Sequence, residues 1–103
     1  MANFTKRAIK AAFLVLLDEK PLNKISVRDI VERCGINRNS FYYHFQDIPS
    51  LLGEIIIERT NELMAQYPTV DKIEEAFYAI IDYAQQNRRA IMHVYNSVSR
   101  DTF

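Results

Sequence analysis

Arg38, Asn39, Tyr42, Tyr43 and Gln46 stand at i, i+1, i+4, i+5 and i+8, a spacing that puts all five side chains on one surface of a helix. They lie within "CGINRNSFYYHFQDIPSLL", residues 34–52, directly after a Gly-centred turn. The chemistry open to such a set is recognition. Each side chain can hydrogen-bond to a phosphate or a base edge, and the tyrosine rings can also meet sugars and thymine methyls. Arg, Asn and Gln match the donor and acceptor pattern of guanine and adenine edges in the major groove. Phe41 and Phe45 fall on the other side with Asn37, a face suited to packing inward. A second explanation for Tyr42 and Tyr43 is contact with another protein surface.

Bond-making chemistry finds little support elsewhere. Cys34 is the single cysteine; it falls on an apolar helical stripe and has no evident base. His44 and His93 are far apart and lack metal-ligand spacing with Cys34. No glycine-rich phosphate-cradling loop occurs. We therefore expect neither an enzyme nor a cofactor or metal. One cysteine excludes an internal disulfide and fits a reducing, cytoplasmic setting.

The elements that must position these residues are helical. Glycine occurs only at Gly35 and Gly53, and proline only at Pro21, Pro49 and Pro68, while the apolar residues recur with a 3.6-residue period. A first helix is predicted over about Thr5–Glu19, with Ile9, Phe13 and Leu16 on one stripe and Ala8, Ala12 and Leu17 beside it. Pro21 breaks it. Ser26 N-caps a second helix with Asp29 near a capping-box position, and Val27, Ile30, Val31 and Cys34 form its apolar face. Gly35 ends it as a left-handed residue. Asn37 then caps a third helix, and the tight turn between the two makes a helix-turn-helix pattern. A fourth helix is predicted over about Ile48–Gln66, capped by Asp47. Its apolar side carries Leu51, Leu52, Ile55, Ile56, Leu63 and Met64. A fifth covers about Val70–Gln86 with Ile73, Phe77, Ile80 and Ala84 as its core stripe, and a sixth about Arg89–Ser99. Phe77, Tyr78, Tyr83, Met92, His93 and Tyr95 are expected to be packing residues. Arg88 and Arg89 are expected to pair with Glu74 and Glu75 or to cap the fifth helix.

The 103 residues suit one small folded unit. No apolar run approaches the roughly 20 residues that span a bilayer. The apolar N-terminal stretch is followed at once by Asp18 and Glu19, which favours a helix over a signal peptide. Net charge is zero, but residues 1–50 hold eight Lys/Arg against five Asp/Glu and residues 51–103 the reverse. The basic half is the one that contains the polar and aromatic helix, as a nucleic-acid binder requires.

"ISVRDIVERCGINRNSFYYHFQDIPSLL" resembles the helix-turn-helix of the TetR family of transcriptional regulators. The family pattern is matched at Ser26, Ile30, Val31, Gly35, Ile36, Ser40, Phe41, Tyr42, His44 and Phe45, and the similarity extends over about residues 5–66. Within the family, "INRNSFYYHFQDI" is similar to the branch of dihydroxyacetone kinase operon activators. The resemblance implies an all-α, three-helix DNA-binding domain over residues 1–47. A linking helix and a short or partial regulatory and dimerisation region would follow over 48–103. It also implies a dimer on a palindromic DNA operator, with the helix of about residues 37–45 in the major groove. Ser26 would donate its hydroxyl to a phosphate and Arg28 would reach the backbone or an adjacent base. Arg38 and Asn39 would read base edges, with Asn37 among the DNA-facing residues at the helix start. Tyr42 and Tyr43 would contact phosphates and thymine methyls, and His44 would touch a phosphate or bond to the next turn.

Two features depart from the family. Relatives commonly carry lysines just after the third helix, where this chain has Gln46 and Ile48; each lost lysine–phosphate contact flattens the salt dependence of binding by roughly one unit. Family members are also about twice as long, so the chain is either a short member or a fragment. A small-molecule inducer would require a longer C-terminal domain, and the fifth and sixth helices are the candidates for a dimer contact. The rival reading is a helical protein–protein interaction module that does not bind DNA.

Overall fold

The computed structural model describes the backbone of residues 2–102 and the side chains of residues 4–98. Met1 and Phe103, the outer bounds of the two expected regions, lie outside the described residues. Six α-helices and no strand occur among the described residues: α1 Ala2–Glu19, α2 Val27–Cys34, α3 Arg38–His44, α4 Ile48–Gln66, α5 Ile73–Gln86 and α6 Arg88–Thr102. Short 3-10 turns at Leu22–Lys24 and Val70–Lys72 precede α2 and α5.

Local chemistry sets the boundaries of α2, α3 and α4. Ser26 Oγ accepts from the Asp29 N–H at 3.1 Å, and the Asp29 carboxylate accepts from the Ser26 N–H at 3.0 Å, completing a reciprocal capping box. Gly35 takes φ 73°, and its N–H and that of Ile36 both return to the Val31 carbonyl at 2.9 and 3.1 Å. A residue with a Cβ resists that backbone. Asn37 accepts from Ser40 N–H at 2.9 Å and Asp47 from Ser50 N–H at 2.8 Å, starting α3 and α4. Caps of this kind each contribute about 1 kcal/mol. Only Ile36 and Asn37 separate Gly35 from α3, so the direction of α3 is settled within a few residues of α2.

The Asp29 cap carries a pH signature. The Ser26 backbone N–H, then the Lys20 ammonium at 3.0 Å and the Ser26 hydroxyl, lower its carboxyl from the ordinary 3.8 to about 2. A lowered carboxylate stabilises the fold fully above its ordinary value, and that contribution disappears as pH falls through the folded value. Melting followed by circular dichroism should therefore show Tm falling between about pH 4 and pH 2. Asp29→Asn should lower Tm at neutral pH and flatten this acid limb; an acid limb as steep as the wild type's would exclude Asp29 as its source.

The core joins α1 through α4. Ile9, Phe13 and Leu16 from α1 meet Ile30 and Val31 from α2, Phe41 from α3, its cap Phe45, and Leu51 and Ile55 from α4. Ala12 and Leu17 are buried as expected, whereas Ala8 is exposed, its carbonyl meeting the Cys34 thiol of α2 at 3.6 Å. α6 packs chiefly along α1 and against the 3-10 turn at Leu22–Lys24. His93 Nδ1 lies 2.6 Å from the Leu17 carbonyl; a carbonyl only accepts, so this nitrogen carries the proton. Ser97, buried, donates to the His93 carbonyl at 2.9 Å and accepts from the Asn23 N–H at 3.3 Å.

The outer half departs from expectation. α5 has no buried residue, and its stripe of Ile73, Phe77 and Ile80 is half to two-thirds exposed. Tyr78, Tyr83, Met92 and Tyr95 are exposed as well. The period is genuine, but α5 meets little besides α6 and its own entry turn, so no helix among the described residues buries the stripe. Along α4, Leu51 and Ile55 are buried while Ile56, which lines an open groove, and Met64 are exposed. Arg88 and Arg89 make no ion pair among the described residues; Glu75 faces Lys72 at 3.8 Å instead, and Arg88 opens α6 rather than closing α5.

Candidate nucleic-acid interface

The opening helix divides into two faces. Phe41 is fully buried and Phe45 nearly so, and their rings stand 5.9 Å apart. Arg38, Asn39, Tyr42, Tyr43 and Gln46 are all exposed. Tyr42 is 53% and Tyr43 81% exposed, too much for either to be a core residue. The Tyr42 ring meets Phe41 edge-on at 5.3 Å, which fixes its base while leaving its hydroxyl end outward.

The other expected contact residues divide by how free they are. Ser26 is exposed; its Oγ accepts the Asp29 N–H, and its hydroxyl also lies against the Asp29 carboxylate. Asn37 is exposed, with Oδ1 engaged as the α3 cap. Arg28 is exposed but tied to Glu32 at 2.9 Å, an exposed helix pair that is weak enough to exchange. Arg38 and Asn39 make no ion pair or side-chain hydrogen bond within the chain, among the described residues. His44 is half-buried between the Tyr43 ring at 5.0 Å and the Phe45 ring at 6.3 Å. It makes no hydrogen bond to the next turn among the described residues. Cys34 is part-buried, its thiol donating to the Ile30 carbonyl at 3.0 Å; burial pushes the thiol up in pKa, the direction opposite to activation.

Sequence reasoning missed Lys6. Its ammonium lies 5.4 Å from the centre of the Phe45 ring and 3.0 Å from Glu54. Lys10 pairs with Glu54 at 2.8 Å and also with Glu58, so α1 and α4 are laced by alternating charge. The Lys10 pair, with Lys6 adding to it, holds the Glu54 carboxyl below the ordinary range. The available signal was two stripes of opposite charge with a four-residue repeat, Lys6 and Lys10 against Glu54 and Glu58. Nothing local indicated that these stripes face each other.

A groove of about 530 Å³ runs between α1, α4, α6 and the end of α5, lined by Leu17, Leu52, Ile55, Tyr83 and Val94 among others. It is apolar and open. No described helix is long and apolar enough to cross a membrane.

Residues 8–55 match the family model described as "Bacterial regulatory proteins, tetR family". Over 55 residues the chain is 40% identical to an uncharacterized HTH-type transcriptional regulator of Haemophilus influenzae. That alignment takes in 52% of this chain and 27% of the relative, so the chain spans well under half the length of the curated relative it matches. No solved structure matches the chain. The segment that forms the caps, the Gly35 turn, α3 and the start of α4, residues 8–55, is thus the part of the chain that is similar to the tetR family of bacterial regulatory proteins.

Proposed function

We propose that the chain acts as a sequence-specific DNA-binding transcriptional regulator, with α3 entering the major groove. The observation that carries this is the outward face of α3, where Arg38, Asn39, Tyr42 and Tyr43 are exposed on a helix whose buried face is fully committed. Arg38 and Asn39 read base edges. Tyr42 and Tyr43 contact phosphates and thymine methyls, His44 touches a phosphate, Ser26 and Arg28 hold the backbone beside α2, and Asn37 lies at the entry to the groove. Residues 1–47 serve as the DNA-binding domain and 48–103 as a linking and dimerisation region. The operator is palindromic, because a two-fold dimer places two copies of α3 about 34 Å apart, one DNA turn. The exposed apolar residues of α5 and α6, with an acidic start to α5 at Glu74 and Glu75 and a basic start to α6 at Arg88 and Arg89, suit contact between two copies. The setting is cytoplasmic, and the branch is that of dihydroxyacetone kinase operon activators, supported by "INRNSFYYHFQDI".

Salt separates this from a protein–protein module. Each lysine or arginine that neutralises a phosphate adds about 0.9 to the slope of log affinity against log salt, whereas an aromatic protein interface responds little. In a mobility-shift titration with the gene's own upstream DNA, retardation is expected at low salt and should fade steeply as salt rises. A folded dimer that causes no retardation at low salt would overturn the reading.

A further inference from the structure

Resting on that DNA-binding reading, we infer that Lys6 of α1 supplies the backbone-gripping cation at the α3–α4 turn, and that Glu54 holds it in place when DNA is absent.

The turn itself is short of positive charge. Gln46 and Ile48 are uncharged, and Asp47, exposed at the start of α4, adds a negative charge that a phosphate must meet. The N-terminal N–H groups of α4 attract an anion, but Asp47 already occupies one of them through Ser50. A cation from elsewhere is needed, and the structure has one. Phe45 caps α3 and immediately precedes Gln46, and the Lys6 ammonium lies 5.4 Å from its ring. The lysine head therefore lies beside the residue from which the turn starts.

Lys6 and Lys10 differ in how replaceable their partners are. Lys10 is the more buried, with 16% of its side chain exposed, and is gripped by both Glu54 and Glu58. Burial alone would lower its pKa; the two glutamates outweigh that and raise it. Lys6 has 34% of its side chain exposed and one carboxylate partner, Glu54 Oε1 at 3.0 Å. When Lys6 leaves, Glu54 keeps Lys10 on Oε2 at 2.8 Å. A half-buried ion pair with one replaceable partner exchanges more readily than the doubly held Lys10, and lysine is a compact charge on a flexible stem that reorients readily, so a phosphate at the turn can take over the ammonium. Glu54 thus acts as a competitor for Lys6 that DNA must displace, which keeps backbone affinity modest until the rest of the interface engages.

The test uses the full chain and a fluorescein-labelled duplex of random sequence, with anisotropy titrations at several salt concentrations. Lys6→Gln should flatten the salt slope by about one unit per protomer bound, and Lys6→Arg should restore it. Glu54→Gln should do the opposite of Lys6→Gln, tightening binding about two- to fivefold at low salt. Circular dichroism checks that each variant keeps its helices. Wild-type binding together with an unchanged slope in Lys6→Gln overturns this inference alone. So does a Glu54→Gln variant that weakens binding, since a merely structural pair loses from either side. Failure of the wild-type protein to bind at low salt overturns the DNA reading and this inference together.

Discussion

Phe41→Ala should lower the unfolding free energy by about 3–5 kcal/mol, the usual result of emptying a fully buried aromatic site. Phe41 is 0% exposed and is one of the largest fully enclosed side chains in the core. It sits where α1, α2, α3 and α4 meet, so no single element can shift to refill the space. Small folds are stable by about 5–15 kcal/mol in total, and a loss of this size consumes a large share of that. In urea titrations followed by circular dichroism the midpoint should fall sharply with little change in slope. The adjacent Tyr42→Ala is the internal control. Its ring touches Phe41 edge-on but is half exposed, so its cost should stay below about 1.5 kcal/mol. Equal losses from the two variants would mean that α3 does not pack on Phe41's face.

The second large effect falls on binding. Arg38→Ala and Asn39→Ala should each weaken operator binding by about 1–3 kcal/mol, roughly five- to 150-fold, the range for a lost bidentate base contact. Neither side chain is engaged within the chain, among the described residues, so stability should change by no more than about 0.5 kcal/mol. The diagnostic outcome is a narrowed gap between operator and random DNA. A contact to phosphate weakens both DNAs alike, whereas a contact to a base edge weakens only the operator. If both DNAs are affected equally, Arg38 is a backbone residue. The two positions are neighbours on one turn, so their effects need not add.

The head of the molecule was readable because its instructions are local. Ser26, Asp29, Gly35, Asn37 and Asp47 act within three or four residues of themselves, and these short-range bonds define the turn and the start of every helix around it. The two faces of α3 followed from periodicity for the same reason. Ile73, Phe77 and Ile80 show the limit of that reasoning: a stripe at helical spacing says which side is apolar, not whether anything covers it. Lys6 shows another limit. Its role depends on α1 lying beside α4, and His93 likewise meets Leu17 at a sequence separation of 76 residues. Such contacts arise from the assembled bundle and leave no mark on neighbouring residues. Gln46 and Ile48, the point where the family pattern is weakest, are also where the missing charge is supplied from outside the motif.

The hydrogen bond from His93 to the Leu17 carbonyl also orders events in time. A ribosome adds about 5–20 residues each second, so α1 leaves it several seconds before α6 exists. During that interval α1 to α4 can already close around Phe13 and Phe41, but the flank of α1 near Leu14 and Leu17 stays open to any apolar surface nearby. Growth from Asn87 onward supplies Ala90, His93, Val94 and Ser97 to cover it. The head is therefore born with one side unfinished, and a stall in translation after α5 would release a chain whose recognition helix is formed while a sticky seam remains along its first helix.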